Sequence, residues 1–240
     1  MMPSPQSVES TFARSWELLS TNWIMIVPGL VIGIVVGIID YFISPHSTAT
    51  QYDSTWWTAA SAGILVALVN LAGYIISQCY VTGMAGAAWQ RGRANLSDGS
   101  AAFEHDAGNV LVAIVGLFVA LVVAGVLAFV TLGISLLLYF YFFLYTFPAV
   151  IVGHRPGLAA MGDSFRIASR KVAPTLIVTV IIGVILLVGR IIGTVLFFVP
   201  FLGPIVGSII IQIVLSYVML VVVGEYLALR DSLGHPPTAV

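Results

Sequence analysis

The stretch Asn109–Thr131, NVLVAIVGLFVALVVAGVLAFVT, decides how this chain is built. Between its two ends there is no charge and no polar side chain. At 1.5 Å per residue, a helix of this length crosses the roughly 30 Å hydrocarbon layer of a bilayer. A backbone placed in hydrocarbon must satisfy its own N–H and C=O groups, and a helix does so within one segment. The stretch therefore predicts a transmembrane helix. Working outward, comparable apolar runs lie near 22–44, 60–82, 133–153, 172–198 and 203–224, which makes six spans. Thr131, Leu132 and Gly133 reverse the chain between the third and fourth, and Pro200, Phe201, Leu202, Gly203 and Pro204 between the fifth and sixth.

Composition agrees with that reading. Of the 240 residues, 60% are hydrophobic and 8% are charged, against roughly 25% charged in soluble domains, and mean hydropathy is +1.08. The expected fold is all-α: a single polytopic membrane domain over 1–240. Nine Lys and Arg against ten Asp and Glu leave a net charge of −1, with no basic face for a nucleic-acid backbone. The lone Cys79 cannot form an intramolecular disulfide.

The cations set the expected orientation. Arg14 precedes the first span, Arg91 and Arg93 follow the second, Arg155, Arg166, Arg170 and Lys171 follow the fourth, and Arg230 follows the sixth. The ninth, Arg190, lies inside the fifth span, and the opposite loops have none. Cytoplasmic loops retain Lys and Arg, so both termini are expected in the cytoplasm of a bacterium, with the bundle in its inner membrane. The first span is longer than a signal-peptide core and follows a polar segment, so it is expected to be retained.

A pattern recurs three times. Residues 7–20 place Val8, Phe12, Trp16 and Leu19 on one helical face, with Ser7 as cap and Glu9 in the first turn. Residues 158–171 set Leu158, Met161, Phe165 and Ala168 opposite Asp163, Arg166 and Arg170, and a weaker copy runs from Ser100 to Ala107. In each copy an aromatic stands six positions before a polar residue at the start of a span: Trp16 and Asn22, Phe103 and Asn109, Phe165 and Lys171. The expectation is three interfacial helices, each leading into a transmembrane hairpin.

The run Phe147, Pro148, Ala149, Val150, Ile151, Val152, followed by Leu158 to Phe165 with Ser164, resembles bacterial six-helix membrane proteins related to the membrane domain of glycerophosphodiester phosphodiesterases. The run from Phe12 to Pro28 and the Pro200, Leu202, Gly203 turn are similar too. The resemblance implies a six-helix fold. It carries over no catalytic residues, because in the phosphodiesterases catalysis belongs to a separate soluble barrel.

No nucleophile elbow, His-Glu-x-x-His, phosphate loop or dinucleotide fingerprint is present. His46, His105, His154 and His235 fall outside the spans, in what read as loops or tails, so no haem ligand is expected in the membrane. Glu104, His105 and Asp106 are consecutive, and neighbours on a helix diverge, so no metal site is expected there either. The reading is of a protein without catalytic residues, cofactor or metal.

Small residues recur every fourth position: Gly29, Gly33 and Gly37; Gly116, Ala120, Ala124 and Ala128; Gly189 and Gly193; Gly203 and Gly207. Such ladders allow close helix packing. Two polar stripes stand out. Asn70, Tyr74, Ser77 and Gln78 share a face of the second span, and Ser208, Gln212 and Ser216 are spaced by four on the sixth. They serve either as interhelical glue or as the lining of a polar cavity. Seven aromatics between Tyr139 and Phe147 point all round the fourth span, which fits packing and lipid contact, and Pro148 is placed to kink it.

Three ionisable residues touch the spans. Glu225 is expected to reach the interface near Arg230. Asp40 and Arg190 each stand about 27 Å along their helices from the cation-bearing side, a matched depth that makes them a candidate intramembrane ion pair if the first and fifth helices are neighbours. The functional expectation is a scaffold or accessory subunit working with membrane lipids or other membrane subunits. The alternative is a small transporter or channel with its pathway between the second and sixth spans.

Overall fold

The computed structural model describes residues 7–43, 56–196 and 202–232. In order, the helices are α1 Val8–Thr21, α2 Val27–Ile43, α3 Trp56–Arg91, α4 Leu96–Thr131, α5 Ile134–Phe143, α6 Thr146–Ile151, α7 Gly157–Arg170, α8 Val172–Leu196 and α9 Leu202–Ser232, with a 3-10 turn at Trp23–Ile26 leading into α2. Among the described residues five helical segments are long and apolar enough to cross a membrane, and a sixth joins them when the bent pair at the N-terminus counts as one span. The chain is an all-α, multi-pass membrane protein.

The interfacial helices form where amphipathic spacing puts them, and two of the three expected copies are separate helices. Ser7 caps α1 reciprocally with Ser10: the Ser10 N–H donates to Ser7 Oγ at 3.2 Å and the Ser7 N–H to Ser10 Oγ at 3.1 Å. α1 then meets its span at 90°. The break residue Asn22 has φ −125° and ψ 49°, and Lys171, between α7 and α8, has nearly the same backbone, φ −119° and ψ 56°. The middle copy differs. Ser100–Ala107 and Asn109 lie within the unbroken α4, which Asn95 and Asp98 start through an Asn95 N–H to Asp98 Oδ2 bond of 2.9 Å. Nothing there ends the helix, so no third interfacial helix separates, and His105 sits on α4 and not in a loop.

Hydropathy also undercounts helix length. α3 and α4 each run for 36 residues, about 54 Å at 1.5 Å per residue, and so project beyond a 30 Å hydrocarbon layer. The turn after α4 uses left-handed backbone at Leu132 (φ 50°) and Gly133 (φ 86°), a conformation glycine adopts without steric cost.

The fourth span is interrupted. Pro148 has no N–H to offer the Leu144 carbonyl, and its ring crowds that carbonyl, so α5 ends at Phe143 and α6 restarts at Thr146. A broken membrane helix leaves backbone groups that hydrocarbon cannot satisfy. Ser164 of α7 fills the gap: its hydroxyl donates to the Phe142 carbonyl at 2.7 Å and accepts from the Tyr145 N–H at 3.1 Å. The aromatics on this span do radiate, and their hydroxyls tie three neighbours. Tyr139 donates to the Leu117 carbonyl on α4, Tyr141 to Ala168 on α7, and Tyr145 to Thr175 on α8.

The core lies toward the cation-bearing ends of the helices. Met25, Met84, Tyr145, Val150, Leu220, Val223 and Tyr226 are buried there. α9 runs through its centre: 50% of its most apolar window is buried, against 17% for α4, whose Phe118, Phe129 and Val130 face outward. The Trp89 indole N–H donates to the Leu220 carbonyl at 2.8 Å, and Gly224 leaves the space that its ring fills.

Candidate ligand cavity within the membrane

α8 and α9 pack along their small residues, with Gly189 against Val214 and Gly193 against Ile211. α2 packs on α3, where Gly73 receives Val36. These two pairs meet through α3 and α9, whereas α2 and α8 do not form a packed pair among the described residues. A cavity of about 690 Å³ occupies the space between the pairs.

Both polar stripes reach this cavity. Asn70, Tyr74, Ser77 and Gln78 line it from α3, Gln212 from α9, and Arg190 from α8. The rest of the wall is largely apolar, with Ile32 and Val36 from α2, Leu186 and Leu187 from α8 and Val214 from α9. Along α3, Gln78 stands about 20 Å and Asn70 about 32 Å from Arg91, so the stripe covers the half of the bundle away from the cations.

Among the described residues, the hydrogen bonding of the Ser77, Gln78 and Gln212 side chains is incomplete. Asn70 Nδ2 donates to the Val66 carbonyl of its own helix at 2.9 Å. Ser77 Oγ is enclosed and has no partner among the described residues. The Gln78 side chain is 97% buried (3% exposed), and neither its amide nor that of Gln212 forms a hydrogen bond among the described residues. The Gln212 amide lies flat on Gly29, where a side chain would overlap it. Arg190 forms no ion pair among the described residues. Unpartnered polar groups in an apolar medium are costly, from roughly 2 kcal/mol upward each, and Ser77, Gln78 and Gln212 bring three such side chains to one cavity.

Of the remaining stripe residues, Ser216 acts as glue: its hydroxyl donates to the Met25 carbonyl at 3.3 Å. The side chains of Ser208 and Asp40 lie outside the described residues. α2 and α8, the helices that carry the candidate pair Asp40 and Arg190, both line the cavity.

The cation-bearing end is built differently. Asn22 bridges the α1–α2 bend to the α3–α4 loop, donating to the Gly92 carbonyl at 3.2 Å and accepting from the Ala94 N–H at 2.8 Å. Glu225, expected at the interface, is buried (4% exposed) and accepts from the Thr11 hydroxyl at 3.0 Å. Because α1 packs across α9, the carboxylate turns inward to it instead of out to water. Asp163 holds Arg155 and Arg166, each at 2.6 Å, and the hydrogen bond from Arg155 to Asp163 raises the already high guanidinium pKa. None of the sequence motifs announced these contacts, although Ser164 and Asp163 both fall within the run 158–171.

No family model matches this chain, and no curated protein and no solved structure matches it either.

Proposed function

We propose that this chain is a non-catalytic lipid-handling protein of the bacterial cytoplasmic membrane, whose cavity between α2, α3, α8 and α9 holds an anionic membrane lipid. The single observation that supports this reading is the convergence of Arg190, Gln212, Gln78 and Ser77 on one chamber whose remaining wall is aliphatic. A mostly apolar wall with a few convergent polar groups is the makeup of an amphiphile site. Arg190 stands about 27 Å from the start of α8, near the depth of the headgroups of the far leaflet, where its guanidinium suits a phosphate. With both termini cytoplasmic, as the distribution of cations favours, that leaflet is the outer one. Binding a lipid in this way fits an accessory subunit that presents or senses lipid within a larger membrane assembly.

The test is lipid analysis of the full chain purified in mild detergent. Wild type should retain phospholipid enriched in anionic species, and Arg190→Gln should lose that enrichment while its thermal stability stays close to wild type. Equal retention in both would overturn the reading. Sidedness is checked by cysteine labelling of intact cells: a cysteine at Ser97 or Ser169 stays shielded and one at Ser47 reacts, and the reverse pattern would invert the topology.

A second reading has one observation in its favour. The cavity lies where the alternative pathway between the second and sixth spans would run, and a small polar solute would use the same amides. Uptake or leak across proteoliposomes carrying wild type, abolished by Gln212→Leu, would favour it over lipid handling.

A further inference from the structure

At the cation-bearing end, well away from the lipid cavity, three side chains from two elements close on one another. His105 and Asp106 come from α4. His154 comes from the segment after α6, 48 positions from Asp106, where left-handed backbone (φ 48°) turns the chain between α6 and α7. His154 Nδ1 stands 2.9 Å from Asp106 Oδ2, and the His105 and His154 rings meet edge-on with centroids 5.3 Å apart. Each of the three residues offers one ligand atom, and these atoms lie within 4.8 Å of one another. Asp106 is 1% exposed, and its second oxygen accepts from Asn109 Nδ2 at 3.4 Å. Both histidines border a cavity of about 790 Å³ that also reaches Gln90 and Asp98.

We infer that His105, Asp106 and His154 form a binding site for a divalent transition-metal ion of the zinc type. Two imidazoles and one carboxylate are the donors such ions take, whereas magnesium and calcium select oxygen donors alone. Tetrahedral ligands at about 2.0 to 2.1 Å from zinc lie about 3.3 to 3.5 Å from each other. The separations here, from 2.9 Å to at most 4.8 Å, bracket that value, so rotation of the exposed His105 side chain brings the set to bonding distance. Asn109 holds the free carboxylate oxygen in the manner of the outer-shell groups that orient metal ligands. Because both histidines border the cavity, an ion held by the three residues would be reachable from it by water or a ligand. Consecutive residues on a helix diverge, as the sequence indicates. His105 and Asp106 nevertheless converge because the third ligand arrives from another element, between them.

The competing explanation is that Asp106 and His154 form a latch holding the α6–α7 segment to α4, with no ion. His105 separates the two, because it forms no hydrogen bond with either partner among the described residues and is exposed. The experiment titrates Zn²⁺ into the full-length, chelator-treated protein in detergent against a chromophoric competitor, with Co²⁺ absorption as a second readout. The expected result is one ion per chain, a tetrahedral Co²⁺ spectrum, and at least a tenfold weaker affinity in His105→Ala with unchanged thermal stability of the metal-free protein. His154→Ala should also lose the ion, and it should lower metal-free stability as well. The inference is overturned if wild type binds no stoichiometric Zn²⁺, or if His105→Ala binds as tightly as wild type, which would place any ion outside this set of three residues.

Discussion

The two halves of this bundle differ in how most of their buried polarity is handled. Toward the cations, polar groups are mostly paired across elements: Ser164 closes the break in the fourth span, Thr11 meets Glu225, Asn22 ties a bend to a loop, and Trp89 donates to a carbonyl of α9. Ser15 Oγ and Thr146 Oγ1 are enclosed there without a partner among the described residues. In the other half, Ser77, Gln78, Gln212 and Arg190 stand around an open chamber without partners among the described residues. Satisfied networks rigidify a structure, and unsatisfied ones are completed by something that binds. Under the proposed function the first half is the platform and the second the half that takes the ligand.

If that contrast holds, substitutions in the paired half destabilise and those in the chamber do not. The largest effect is expected for Trp89→Ala, which empties the space over Gly224 and removes the indole hydrogen bond to the Leu220 carbonyl, at about 3 to 5 kcal/mol in denaturant or thermal unfolding in detergent. Ser164→Ala removes one hydroxyl but strands both the Phe142 carbonyl and the Tyr145 N–H, and about 2 to 4 kcal/mol should be lost. Stability within 0.5 kcal/mol of wild type would show that water enters the break and that this half is less closed than described. Thr11→Val leaves the Glu225 carboxylate buried without its donor and should cost about 1.5 to 3 kcal/mol. At the small end, Gln212→Leu should change stability by about 1 kcal/mol or less, because it breaks no bond seen among the described residues. A loss as large as that of Ser164→Ala would erase the distinction between the halves.

Much of the platform was legible in outline and little of it in detail. Apolar run lengths located the spans, and the cap at Ser7 and the kink at Pro148 followed from local chemistry. The repair of that kink was not legible, because Ser164 reaches it from a helix that approaches only after folding. Nor was the meeting of Asp106 with His154, since nothing in a sequence brings together residues 48 positions apart. The chamber was half legible. Spacing by four picked out Asn70, Tyr74, Gln78 and Gln212 as polar stripes but left glue and lining open, because the two share the same spacing, and it is the packing of the helices that sets these residues around the cavity. Ser216, one turn from Gln212, falls on the glue side because Met25 lies within its reach. The reading also set Ser100–Ala107 apart from the span beginning at Asn109, whereas the two run on as one helix, α4, because no capping residue interrupts it.

The chamber itself is tested most directly by the accessibility of position 212. The native Cys79 is fully buried and provides an unreactive background. In detergent-purified Gln212→Cys stripped of lipid, a small water-soluble thiol reagent should modify the new cysteine, wild type should not react, and added anionic phospholipid should slow the modification at least tenfold while zwitterionic phospholipid does not. Complete protection of Gln212→Cys in the stripped protein would mean that side chains fill the space, and would contradict the account.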